Sequence, residues 1–130
     1  SKKKPSSKEL EDLIFAYKVV KYVRSNAIVI AKNKTTIGIG SGNTSRVDSV
    51  NFALQKSERA KNTNKNDALN GAVMASDAFF PFSDSIILAS NAGIKSIIQP
   101  GGSVKDKEVI EEVNRKKISM IFTDKRCFSH

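Results

Sequence analysis

The stretch Ser76-Asp77-Ala78-Phe79-Phe80-Pro81-Phe82-Ser83-Asp84-Ser85 limits the folds open to this chain more than any other. Ala72-Val73-Met74-Ala75 leads into it and Ile86-Ile87-Leu88-Ala89 leads out. This pattern predicts a buried strand, an aromatic turn and then a helix. Pro81 forbids regular strand or helix at the turn and splays the phenylalanine rings in different directions. Two readings fit. The rings are core residues at a strand end, or they form flat apolar walls beside the Asp84 carboxylate, which suits a planar heterocycle with polar edges.

Before this turn, Ser6 and Glu9 form a capping-box pair after Pro5. Leu10, Leu13, Ile14, Tyr17 and Val20 then keep helical spacing, with Glu11, Asp12, Lys18 and Lys21 on other faces. Phe15, Val19 and Tyr22 add a second apolar strip. Ala27 to Ala31 is an apolar run that predicts a strand covered on both faces. Asn33-Lys34 makes a turn, and Thr36 to Gly40 pairs back. The alternation of Gly38, Gly40 and Gly42 lets a ligand or another backbone approach closely, but its order matches neither the dinucleotide fingerprint nor a phosphate loop.

Ser45 and Asp48 mark the next helix start, with Val47, Val50 and Leu54 toward the core. Arg46 therefore stands in the first helical turn, where the helix dipole disfavours a cation by about 0.3–1 kcal/mol. Either an anion meets it there, or it points away into solvent. Lys56 to Asp67 reads as a fraying helix end and a solvated loop. Ser83 or Asp84 caps the helix after the aromatic turn, and Gly93 ends it. Ile94 to Ile98 is the next strand. Pro100-Gly101-Gly102-Ser103 then enters a helix capped by Ser103, a turn that could hold a carboxylate or could simply be tight. Ile118 to Phe122 is the last strand.

The resulting order alternates helices and strands after an opening antiparallel pair, which implies right-handed crossovers and parallel later strands. The expectation is a three-layer α/β domain with a mixed sheet of about five strands and helices on its faces. Ligands in such sheets gather at the carboxyl ends of parallel strands. Gly40 to Arg46, Ala78 to Asp84 and Pro100 to Ser103 all follow strands.

At 130 residues the chain is one domain. It lacks a membrane-length apolar run and an apolar leader, and its single cysteine, Cys127, suits a reducing compartment. The expected location is cytoplasmic, and a first residue of Ser suggests a piece of something longer. The net charge of +9 raises the question of nucleic acid. Its lysines are scattered and not interleaved with aromatics, so a small anionic ligand explains the charge as well. His130 and Cys127 sit in no metal-ligand spacing, so no zinc site is expected, and no histidine is placed to activate a nucleophile.

Several longer strings carry a resemblance: Lys21 to Ile28, Gly38 to Val47, Ser76 to Phe82, Gln99 to Ser103, and Arg126-Cys127-Phe128-Ser129-His130. Together they resemble the carboxy-terminal half of the aminoimidazole carboxamide ribonucleotide (AICAR) formyltransferase domain found in the bifunctional purine-biosynthesis enzymes that are also IMP cyclohydrolases. The resemblance covers essentially the whole chain. It implies a cytidine-deaminase-like fold without zinc, and transfer of a formyl group from 10-formyltetrahydrofolate to the 5-amino group of AICAR. It implies that Asn26 is catalytic and hydrogen-bonds the imidazole carboxamide, while Arg46, Phe79 and Arg126 contact the nucleotide. Val47, Asp84, Ser103 and Val104 would line the folate side, and Ser25 and Asp77 resemble a potassium site. A homodimer is implied.

Three departures stand against this pattern. The family's Lys-His pair is absent, so the chain alone is expected to be inactive. Ser85 stands where relatives often carry Asn, and the ending at Cys127 to His130 is altered. The alternatives are a non-catalytic nucleotide- or folate-binding module and a basic nucleic-acid-binding domain.

Overall fold

The computed structural model describes residues 2–60, 69–80, 83–102 and 104–123. Pro81, Phe82, Ser103, Arg126, Cys127, Phe128, Ser129, His130 and most of the expected loop before Leu69 lie outside the described residues. The elements are α1 (Ser7–Val20), β1 (Ile28–Lys32), β2 (Thr35–Gly40), α2 (Arg46–Ala60), β3 (Val73–Ser76), α3 (Asp84–Asn91), β4 (Ser96–Gln99), α4 (Asp106–Arg115) and β5 (Ser119–Phe122). This is the expected order, and the five strands form one mixed sheet ordered β2-β1-β3-β4-β5. β1 runs antiparallel to both β2 and β3, while β3, β4 and β5 are parallel.

Alternation along β1 divides the core. Ile28 and Ile30 join Met74, Ile97, Val50, Phe80, Ile86, Val109 and Val113 on the face covered by α2, α3 and α4. Val29 and Ala31 join Val73, Ala75, Ile98, Leu13, Ala16 and Val20 on the face covered by α1. A sheet buried on both faces has near-continuous apolar strands, as β1 does.

α1 begins with the expected capping box: Glu9 N–H donates to Ser6 Oγ (3.1 Å), and Ser6 N–H donates to Glu9 Oε1 (2.8 Å). Its buried face differs from the expectation. Leu13, Ala16 and Val20 are inside, but Leu10, Ile14 and Tyr22 are exposed. Asp12, expected on the polar side, is buried, because its carboxylate accepts the N–H groups of Asn33 (3.1 Å) and Lys34 (2.9 Å). Those two residues turn the β1–β2 hairpin with positive φ, and Asp12 satisfies amides that the hairpin leaves unpaired.

The alternating glycines of β2 serve α2. A Cβ on Gly38 would collide with the Ala53 carbonyl and Ser57, and one on Gly40 would collide with the Ser49 backbone. Another backbone, not a ligand, makes the close approach. α4 starts at Asp106, later than expected, because Asp106 Oδ2 accepts Gly102 N–H (2.8 Å) across the turn.

Gly40→Ala should lower the unfolding free energy by about 1–3 kcal/mol in urea titration, because α2 must move off the sheet. At Glu9, partial burial works against the charge. Hydrogen bonds from Ser6 N–H and from the Ser96 and Ser6 hydroxyls, with Lys3 nearby, outweigh that and hold its carboxyl below the usual range. A carboxyl depressed in the folded state stabilises above its unfolded pKa and loses that contribution as pH falls through the folded value. Glu9→Gln should therefore flatten the acid limb of a stability–pH curve.

Candidate functional site

Strand register brings the scattered turns to one rim. Ile28 pairs with Gly40 on one side and Ser76 on the other, Ala75 pairs with Ile98, and Gln99 with Phe122. The start of β1 and the ends of β2, β3, β4 and β5 thus lie along a single edge. Asn26 precedes β1, Arg46 and Val47 open α2, Asp77 and Phe79 follow β3, and Val104 lies beyond β4.

The centre of the rim is a buried ion pair. Arg46 Nη1 donates to Asp77 Oδ1 and to the Ala27 carbonyl (3.2 Å), and Nη2 donates to Asn26 Oδ1 (3.0 Å). The Arg46 and Asp77 side chains are 6% and 0% exposed, so solvent does little to weaken their attraction. Asp77 also accepts from Ala27 N–H at Oδ1 (3.1 Å) and from Ser25 Oγ at Oδ2 (2.5 Å). The anion that meets the cation at the start of α2 therefore belongs to the chain itself.

Asn26 is held from three directions. Its N–H donates to the Asn43 carbonyl (3.3 Å), its C=O accepts from Ser49 Oγ (2.6 Å), and its side-chain oxygen accepts from Arg46. Asn43 Nδ2 donates in turn to Ser49 Oγ (3.3 Å). The side-chain Nδ2 of Asn26 has no partner among the described residues, and Asn26 is half-buried.

Two rings of the aromatic turn lie among the described residues, and they differ in burial. Phe80 is fully buried in the core, while Phe79 is half-buried at the rim. Asp84 opens α3, is exposed, and accepts Ser85 N–H (2.8 Å) with its own carboxylate. Ser83 precedes the helix without a side-chain capping bond. The Ser85 hydroxyl is buried with no partner among the described residues. Val47 is half-buried, and Val104 is 97% exposed. The Gly101-Gly102 turn keeps fewer free amides than expected, because Gly101 N–H donates to Gln99 Oε1 (3.1 Å) and Gly102 N–H to Asp106.

Ser25 and Asp77 do not fit a potassium ion as side-chain ligands. The carboxylate is engaged by Ser25, Ala27 and Arg46, and its charge is already met by the guanidinium. Among the described residues no cluster of three His, Cys, Asp or Glu side chains is placed to hold a metal ion, and no helix is long and apolar enough to cross a membrane.

Asp77 is the residue whose organising part the residue pattern did not reveal. The available signal was a carboxylate directly after a fully apolar strand, where burial demands a cationic or hydrogen-bonding partner.

The fold is that of the deaminase-like α/β proteins. It superimposes on dCMP deaminase from the cyanophage S-TIM5, crystallised with dCMP and dUMP, with a TM-score of 0.59 at 12% identity, covering 92% of this chain and 100% of that one. It also matches a diaminohydroxyphosphoribosylaminopyrimidine deaminase/5-amino-6-(5-phosphoribosylamino)uracil reductase from Thermotoga maritima, with a TM-score of 0.56 at 17% identity over 89% of this chain and 35% of that one. At such identities the likeness concerns the fold alone.

Sequence relatives are more specific. The model of the AICARFT/IMPCHase bienzyme family matches residues 1–56. Over 130 residues the chain is 57% identical to the bifunctional purine biosynthesis protein PurH of Caldicellulosiruptor bescii, covering 100% of this chain and 24% of that protein. It is 60% identical over 126 residues to PurH of Buchnera aphidicola subsp. Schizaphis graminum, covering 97% of this chain and 23% of that protein. The homologues are thus bifunctional purine-biosynthesis enzymes, and the chain spans about a quarter of the length of the curated relatives it matches.

Removing one partner of a buried pair strands the other, at a cost of about 3–5 kcal/mol, whereas replacing both with apolar groups can be nearly neutral. Asp77→Ala should therefore destabilise strongly in urea titration, and the double variant Arg46→Met/Asp77→Leu should recover much of that loss.

Proposed function

We propose that this chain is part of a PurH-type bifunctional enzyme and contributes a large share of its formyltransferase pocket. In that reaction a formyl group passes from 10-formyltetrahydrofolate to the 5-amino group of AICAR. The observation that supports this most is the gathering of Asn26, Arg46 and Phe79 at the carboxyl rim of the parallel strands.

Asn26 supplies a directed hydrogen bond to the imidazole carboxamide. Phe79 offers a ring face to the base, and Arg126 a cation to the anionic side of the nucleotide. Arg46 reaches the nucleotide as part of its contact with Asn26, since its charge is balanced by Asp77. Val47, Asp84, Ser103 and Val104 form the folate side, with Asp84 facing the amino-pyrimidine edge. Proton transfer from the attacking amine requires a group beyond these residues, because the chain has one histidine, His130, and no Lys-His pair. The partners are thus AICAR and the folate, and the enzyme is a cytoplasmic homodimer, a reading favoured by the exposed Leu10, Ile14 and Tyr22.

Titration calorimetry with AICAR and with a folate analogue tests this reading. Heat with both ligands supports it, whereas heat only with single- or double-stranded nucleic acid would refute it. In protein expressed from its complete reading frame, Asn26→Ala should reduce formyl transfer by at least about tenfold, measured below the lowered melting temperature, since it also leaves Arg46 Nη2 unpaired at a cost of about 1–3 kcal/mol. Unchanged turnover would count against the assignment of Asn26.

A further inference from the structure

Asn26 presents one defined half of its amide. A carboxamide has two nearly isosteric ends, one accepting and one donating, and its neighbours decide which end faces where. Here the neighbour is Arg46 Nη2, at 3.0 Å from Asn26 Oδ1. A guanidinium only donates, so the flipped amide would set donor against donor. Arg46 is itself fixed by Asp77 and the Ala27 carbonyl, and its side chain is 6% exposed. Asp77 is tied to Ser25 and to Ala27 N–H, and the Asn26 main chain is pinned by Asn43 and Ser49. Among the described residues two donors of this network lack a partner, the buried Arg46 Nε and the Nδ2 of half-buried Asn26, and of the two ends of the Asn26 amide it is Nδ2 that is not taken up by Arg46.

We infer that Asp77 and Arg46 are positioning residues that lock the Asn26 amide with Nδ2 toward the ligand, so that the site selects a base-edge substituent that accepts a hydrogen bond. The inference rests on the AICAR reading and adds its polarity: Asn26 donates, and the carboxamide oxygen of the ligand accepts. A substituent with donors only meets the Asn26 N–H groups head-on.

The test compares AICAR with the matching 4-carboxamidine ribonucleotide, whose amidinium offers only N–H donors, by calorimetry on protein expressed from its complete reading frame. Wild type should bind AICAR at least about tenfold more tightly, the scale of one unsatisfied buried polar group. Asn26→Asp keeps the acceptor toward Arg46 and turns a second acceptor outward, so the preference should invert. Asp77→Asn should bring the affinity ratio toward one, with the circular dichroism spectrum retained. Should Asp77→Asn not fold, Arg46→Lys, which keeps the charge but loses the fork, should do the same. A merely structural role would weaken both ligands equally and leave the ratio alone. An unchanged ratio in Asn26→Asp overturns the polarity while leaving the AICAR site standing. Binding of neither ligand by wild type overturns both.

Discussion

The contact between Arg46 and Asp77 is the constraint on which the rest of the rim depends. It joins the first turn of α2 to the residue after β3, and through Ala27 and Asn26 it joins both to the entry of β1. Three segments far apart in sequence are thereby fixed relative to one another by direct hydrogen bonds. A buried pair of this kind adds little net stability over an apolar replacement, since desolvating both charges offsets their attraction. What it supplies here is geometry, because each charge requires several hydrogen bonds in specific directions.

The sheet explains why the pair sits where it does. β1 runs against β3, so the start of β1 and the end of β3 meet, and the parallel strands β4 and β5 end on the same side. β2 returns to that edge at Gly40, and the absence of a side chain there lets α2 lie close enough for Arg46 to reach inward. The glycines of β2 and the ion pair are two parts of one arrangement: the first sets the depth of α2, and the second sets its rotation.

Much of the architecture was legible in the residues, because apolar runs, capping boxes and glycine stops signal strand and helix directly. Ser6 with Glu9 and Ser45 with Asp48 marked helix starts that the structure keeps, with Asp48 N–H donating to Ser45 Oγ at 3.2 Å. Element order and the two-faced burial of β1 followed from pattern. Long-range polar pairing was not legible. Asp12 looked like a solvent residue because periodicity reports the face of a helix and says nothing about a hairpin turn passing beneath it. The Gly101-Gly102 turn looked open because spacing cannot show that Gln99 and Asp106 occupy its amides. At Arg46 the residues posed the question of a counter-charge, and only three-dimensional pairing could name Asp77. Strand register explains why Asn26 and Phe79, far apart in sequence, share an edge.

The proposed pocket requires the rim to be a ligand surface and not merely a well-knit end of the sheet. Two-dimensional amide NMR during a titration with AICAR addresses this directly. Shift changes concentrated on residues 24–27, 42–49 and 77–80 would match it, with the exposed faces of α1 and α4 silent. Changes confined to those helix faces, or a spectrum that does not move at millimolar nucleotide, would contradict it.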